Sequence, residues 1–374
     1  MARRTIGKPR FYADIPTYLK AIGQLENTYK RLSNYPSGGA EEWEIGGSEI
    51  WFLDPTNDLT YTRLDTMEGN AMMGDWRFEM GQGTGTPDRA RLLTHIPQST
   101  TTGLYAGALG HSFGNGKWKL NIGLGKILST FSDPYMAYNF GLNWEEIVNT
   151  TGTHPYTNIG DAGFSLMNIT GWHFLESYDD EITNIWATIS RWHSDEGDDF
   201  NLGGVTFGRW FEPEYAFDLQ ATVSNSYEGI STQTTVGGHT LSNIKHLGQP
   251  NWGNGLPAWT IQKLENESYS VSGSRGRRQW EVGFSFLSDE KLFNKAGNYD
   301  QFFTYDEDTE QYTFDSSLSS FLKLTLNGKL PFIFCPDNDA DEKEFAICRI
   351  TNQPSFSQVA NNLWSTSLVI TETW

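Results

Sequence analysis

Several clusters in this sequence have the residue types for chemistry. The run Asp337-Asn338-Asp339-Ala340-Asp341-Glu342 sets carboxylates at alternating positions, as the start of a calcium loop does. The pattern then breaks: the sixth position is not glycine and the twelfth is Cys348 rather than glutamate, so the run reads as a solvated hairpin tip. Asp179-Asp180-Glu181 and Asp195-Glu196 lie near Trp172, Trp186 and Trp192. Paired acids beside aromatic platforms are what a sugar-cleaving cleft uses, whereas adjacent acids on loops are more often solvated charge. The seven histidines are scattered; Trp172-His173 and Trp192-His193 come nearest to a pattern, and His239 sits in a glycine-rich loop. No His-x-x-x-His or Cys-x-x-Cys spacing is available to a transition metal. Gly81-Gln82-Gly83-Thr84-Gly85 is followed by Pro87 and Asp88, not by the Gly-Lys-Ser/Thr of a phosphate loop, and there is no Gly-x-Ser-x-Gly nucleophile elbow. The expectation is a protein without catalytic residues, metal or cofactor, and not an enzyme.

The elements that would position any site are strands. Among 374 residues, 14 Trp, 16 Tyr and 23 Phe supply large buried areas and favour sheets, and 38 Gly supply turns. The net charge of −19 opposes nucleic-acid phosphates and anionic membranes, so neither is an expected partner. The basic exception is the N-terminus, where Arg3, Arg4, Lys8 and Arg10 precede the first acid, Asp14. It is read as an arm reaching a neighbouring acidic subunit, against the alternative of a disordered tail. Two cysteines, Cys335 and Cys348, flank one hairpin loop and read better as buried free thiols than as a disulfide framework. No apolar run has the length of a signal peptide core or a membrane span, which places synthesis in a cytoplasm and makes the Asn149, Asn168 and Asn266 sequons uninformative.

Residues 1–45 read as an N-terminal arm and irregular segment; Phe11 to Ile22 carries apolar residues at mixed spacing, interrupted by Pro16, and Tyr18, Leu19, Ile22 and Leu25 suit one short helix. Over residues 46–230, strand patterns from Glu49 onward, separated by turn clusters, predict an antiparallel β-sandwich, jelly-roll-like. They include Ile50–Leu53, Trp76–Met80, Leu104–Leu109, Trp118–Leu124, Phe164–Ile169, Ile182–Ile189 and Ala216–Val223. Residues 231–374 predict a second, β-barrel-like or sandwich domain. In it Trp280, Val282, Phe284 and Phe286 alternate with polar residues, as do Trp364, Thr366, Leu368 and Ile370 in a final strand expected to pair inside a sheet or with a partner. Ser288-Asp289-Glu290 caps a turn of helix through Phe293, and Asp315-Ser316-Ser317 caps a helix that runs toward Lys329. Leu330–Cys335 and Phe345–Ile350 are apolar enough for central strands.

Three stretches of this C-terminal unit carry a resemblance. They are Gly276-Arg277-Arg278-Gln279-Trp280 with Phe284–Asp289, Leu330–Phe334 with Phe345–Arg349, and the terminal Ile370-Thr371-Glu372-Thr373-Trp374. Together they resemble virion structural proteins of tailed bacteriophages, of the distal-tail or minor-tail type, over about residues 235–374. The resemblance implies a non-enzymatic subunit of a tail, hub or baseplate ring, built from copies of itself and attached to fibre, hub or other tail proteins. It also implies location in the virion tail after synthesis in the host cytoplasm. Tentative subunit-interface residues are Arg3, Arg4, Lys8, Arg10, Trp364 and Trp374. The alternatives are a carbohydrate-binding, receptor-recognition module and a glycan hydrolase.

Overall fold

The computed structural model describes residues 7–23, 25–35, 44–45, 53, 71–80, 101–111, 118–126, 135–143, 163–170, 184–191, 204–219, 221–226, 230–244, 261–263, 269–271, 277–293, 303–306, 311–314, 317–340 and 345–373. The first strands are β1 (Arg10–Asp14), β2 (Leu25–Tyr35), β3 (Glu44–Ile45), β4 (Ala71–Met80), β5 (Thr101–His111), β6 (Trp118–Lys126) and β7 (Tyr135–Asn143). Next come β8 (Gly163–Thr170), β9 (Asn184–Arg191), β10 (Gly204–Phe211), β11 (Thr222–Ser226), β12 (Ile230–Thr234), β13 (Thr240–Ile244), β14 (Ile261–Lys263) and β15 (Tyr269–Val271). The last are β16 (Arg277–Ser288), β17 (Phe303–Asp306), β18 (Gln311–Phe314), β19 (Phe332–Cys335), β20 (Ala346–Ile350), β21 (Phe356–Ala360) and β22 (Leu363–Glu372). Among the described residues three short helices, α1 (Ile15–Ala21), α2 (Asp289–Leu292) and α3 (Leu318–Leu324), interrupt them.

The fold is mainly β and antiparallel, with few short helices, as the sandwich-type reading of the sequence expects. A ten-stranded sheet runs β11-β16-β22-β20-β19-β1-β10-β5-β8, with β21 added to β22. A second sheet of six strands runs β3-β2-β4-β9-β6-β7. The pairing of β16 with β22 joins two of the stretches whose alternation is plainest in the sequence. Trp280, Val282 and Phe284 face inward on β16 opposite Ile370, Leu368 and Thr366 of β22.

The centre of the large sheet is β1, within the stretch expected to be irregular. It pairs with β10 on one side and with β19 on the other, so five residues near the N-terminus join segments far apart in the chain. Both of its faces are buried, which is why no period-two alternation marks it. On one face the ring of Phe11 packs 5.0 Å from Phe334, 5.3 Å from Phe321 and 5.9 Å from Phe211. On the other, Tyr12 lies 5.0 Å from Tyr105 in a cluster with Leu53, Ile333, Cys335, Phe345 and Ile347. Gly208 of β10 passes against the Ala13 carbonyl so closely that a Cβ there would collide with it.

Local chemistry explains the other departures. Pro16 does not interrupt α1 but sits in its first turn, where its missing N–H has no partner to lose. Helix α3 is capped by Ser317 as expected but stops at Leu324, well before Lys329. There Thr325 turns its hydroxyl back to the Phe321 carbonyl and accepts from the Gly328 N–H, and Leu326, Asn327 and Gly328 take positive φ. The expected strand over Ala216–Val223 begins only at Thr222. The segment before it is held instead by Asp218: its N–H donates to the Gly283 carbonyl, and its carboxylate accepts from the Ser285 N–H and hydroxyl, at 3.2 and 2.6 Å. Among the described residues no helix is long and apolar enough to cross a membrane.

Candidate functional site

Of the tentative interface residues, Arg3, Arg4 and Trp374 lie outside the described residues. Lys8 and Arg10 are engaged by their own chain. The acidic turn proposed as a hairpin tip holds Lys8 by its backbone: the Lys8 N–H donates to Asp339 Oδ2 at 2.9 Å, and the Lys8 carbonyl accepts from the Asn338 N–H at 2.8 Å. Gly7 approaches this turn so closely that a Cβ would strike the Asp337 carboxylate. Arg10 Nη2 meets Glu212 Oε2 at 2.6 Å, and its guanidinium carbon lies 4.1 Å from the centroid of the Trp210 ring. Asn338 Nδ2 adds a 3.2 Å bond to the same Glu212 oxygen. Carboxylates that resembled a cation loop therefore receive a chain segment. Trp364 is half-buried; its indole Nε1–H donates to the Asp289 carboxylate at the start of α2, and its ring meets Phe293 edge-on at 5.1 Å.

One buried charge is Asp14, 2% exposed and the first acid in the sequence. It caps α1: Oδ2 accepts from the Thr17 N–H at 2.9 Å and the Thr17 hydroxyl at 2.6 Å. Oδ1 accepts from the Thr206 hydroxyl at 2.9 Å and the Phe207 N–H at 3.1 Å, which binds β10 to the same side chain. Thr17 Oγ1 in turn accepts from the Leu53 N–H, and Thr206 Oγ1, whose own proton goes to Asp14, accepts from the Tyr105 hydroxyl at 3.0 Å. Burial raises the Asp14 pKa from its ordinary 3.8 to about 6, against the pull of these four donors. Burial first, and then the charge on Asp14, push the Tyr105 phenol well above its usual value. The hydrogen bonds of this buried carboxylate, with Tyr105 behind Thr206, tie β1, α1, β5 and β10 together.

A second buried charge closes the C-terminal strands. Glu372 on β22, 1% exposed, takes a forked pair from Arg278 on β16, Nη2 to Oε1 at 2.9 Å and Nε to Oε2 at 3.1 Å. The Arg278 backbone N–H adds a 3.0 Å bond to Oε2. Cys348 lies opposite Glu372 across the ladder. Burial, then the Glu372 charge, raises its thiol pKa well above the ordinary value. Cys335 and Cys348 are both buried free thiols.

The acids Asp179, Asp180, Glu181, Asp195 and Glu196, with Trp172, His173, Trp192, His193 and the side chain of Trp186, lie outside the described residues. His239 is exposed in a tight turn, its N–H bonded to Thr235 Oγ1. Among the described residues no three His, Cys, Asp or Glu side chains gather as a metal site. Sequence reasoning passed over Asp14, Thr206 and Glu372. Asp14 carried a signal: Asp-x-Pro-Thr is an N-cap followed by a first-turn proline. Nothing local marks Thr206 or Glu372.

No family model matches the chain, and no curated protein matches it. Two solved structures align at 8% identity. One is titled "Crystal structure of botulinum neurotoxin serotype C1 binding domain", with 94% of this chain and 95% of that chain covered and a TM-score of 0.16. The other is titled "Cell entry of botulinum neurotoxin type C is dependent upon interaction with two ganglioside molecules", with 94% of each chain covered and a TM-score of 0.15. At these TM-scores the likeness carries no argument about fold or function.

Proposed function

We propose that this chain is a non-enzymatic structural subunit of a phage virion tail, one that assembles with copies of itself into a ring and attaches other tail, hub or fibre proteins. The observation that carries the reading is how the described charged side chains are used. Asp14, Glu212, Asp218, Asp339 and Glu372 each accept hydrogen bonds that fasten segments distant in sequence. Such fixation suits a part that bears load between neighbours. The phage resemblance of the C-terminal stretches supplies the tail setting, and the net charge of −19 keeps unassembled subunits apart.

In this reading the basic N-terminus still reaches a neighbour, but through Arg3 and Arg4, because Gly7–Arg10 is held by the Asp337–Asp339 turn and Glu212. Heterologous contact of one patch with a different patch closes a ring. Native mass spectrometry of the purified chain tests the proposal. One dominant mass at an integer multiple of 42.2 kDa is the expected result. A monomer at every concentration, or release of sugar from a glycan mixture, would overturn it.

A further inference from the structure

Three long stretches of this acidic chain are free or nearly free of charge. Residues 92–116 have no Asp, Glu, Lys or Arg, but their strand β5 is paired on both sides. Residues 350–371 have none either, but their edge strand β21 meets β22 with a register shift, an irregularity that guards an edge. The third stretch has no such protection. Between Leu219 and Ile244 the only Asp, Glu, Lys or Arg is Glu228, in a chain whose residues are 20% charged. The stretch contains β11, which ends the ten-stranded sheet, and the β12–β13 hairpin that follows it.

β11 is an unguarded edge. Among the described residues it pairs only with β16, in unbroken register from Thr222–Glu281 to Ser226–Arg277. Thr222, Val223 and Ser224 are exposed, Val223 to 60%. Edge strands are normally protected by lysine, proline, charge or a bulge. Thr222-Val223-Ser224-Asn225-Ser226 has none of these. The opposite end of the sheet differs: β8 meets β5 with two register shifts.

The hairpin is also unsupported. Among the described residues β12 and β13 pair only with each other. Every residue from Gln233 to Leu241 is exposed, and Val236 at the turn is fully so. A two-stranded ribbon alone in water is marginally stable. Leu219, also fully exposed, adds a further apolar side chain to the same stretch.

Resting on the assembly reading above, we propose that β11 and the β12–β13 hairpin form the contact with a second copy of this chain. Charge selects that occupant. A cationic partner would be drawn to the acidic remainder of the surface, whereas a second copy, net −19, meets least repulsion from this chain where charge is missing. Interface cores are depleted of charge in the same way. The open edge supplies backbone N–H and C=O groups to a neighbour's strand, and Val223, Val236 and Leu241 supply the apolar contacts.

Light scattering on size-exclusion peaks of the full chain tests this, with Val223→Lys and Val236→Lys, singly and together, and with Val359→Lys on exposed β21 as control. The double variant is expected to elute as the 42.2 kDa monomer with the melting temperature of the folded protein, while the control keeps the wild-type mass. Val236→Lys lies on an exposed turn and carries the test if Val223→Lys lowers the melting temperature. A closed ring that survives both lysines overturns this interface and leaves the ring reading standing. A twofold dimer split by them supports the interface and overturns the ring. A monomeric wild type overturns both.

Discussion

Phe11 lies with its ring 5.0 Å from that of Phe334, joining a strand near the N-terminus to one near the C-terminus. The same ring lies near those of Phe211, Phe284, Phe321 and Phe332, so five aromatic side chains from four elements, β10, β16, α3 and β19, converge on it. Strand β1 thereby acts as the centre of the large sheet.

Truncating that ring leaves a cavity that its rigid neighbours cannot fill. Phe11→Ala is expected to lower stability by about 3–5 kcal/mol, measured by urea denaturation. Val236→Ala, fully exposed, is expected to stay within about 0.5 kcal/mol of wild type. Equal midpoints for the two variants would remove β1 from the centre of the fold.

Asp14 makes stability depend on pH in an unusual direction for a carboxylate. Its folded pKa of about 6 lies above the ordinary 3.8, so the folded state holds the proton more tightly than the unfolded chain. The contribution is complete below about 3.8, is lost as pH rises to about 6, and is level above that. Asp14→Asn removes this component while directing an amide at the Thr17 and Phe207 N–H donors, so it is also destabilising. The variant's urea midpoint is expected to lack the wild-type decline between pH 4 and 6. Parallel pH profiles for the two proteins would refute the assignment.

Glu372 and Arg278 form a pair whose acid is 1% exposed. Removing only the base leaves a buried charge without its partner, which costs about 3–5 kcal/mol. Arg278→Met should approach that loss, and Arg278→Met with Glu372→Leu should recover most of it. A double-mutant cycle with no coupling would contradict the forked geometry.

The two thiols are expected to be inert in the folded protein. Burial raises the Cys348 pKa well above its ordinary value, and Cys335 is buried in the Tyr12 cluster. Ellman's reagent should titrate neither until guanidinium unfolds the chain, and then both. Rapid reaction of either in native buffer would contradict their burial.

The sequence reveals elements buried on one face better than those buried on two. β16 and β22 announce themselves because Trp280, Val282, Leu368 and Ile370 alternate with polar residues. β1 does not, since Phe11, Tyr12, Ala13 and Asp14 are all buried and its two partners lie hundreds of residues away. The same limit hides the polar junctions. Asp14 meets Thr206, and Arg278 meets Glu372, through the sheet order and not through local spacing. The acidic run misled for the converse reason: its alternating carboxylates fit a cation loop locally, while its turn receives the Lys8 backbone from the other end of the chain.

Whether these junctions serve an assembly is decided most directly by imaging single particles of the purified full-length chain. Closed rings of one cyclic symmetry are expected. Compact monomers whose melting temperature rises with an added glycan would contradict the structural reading and favour a sugar-binding module.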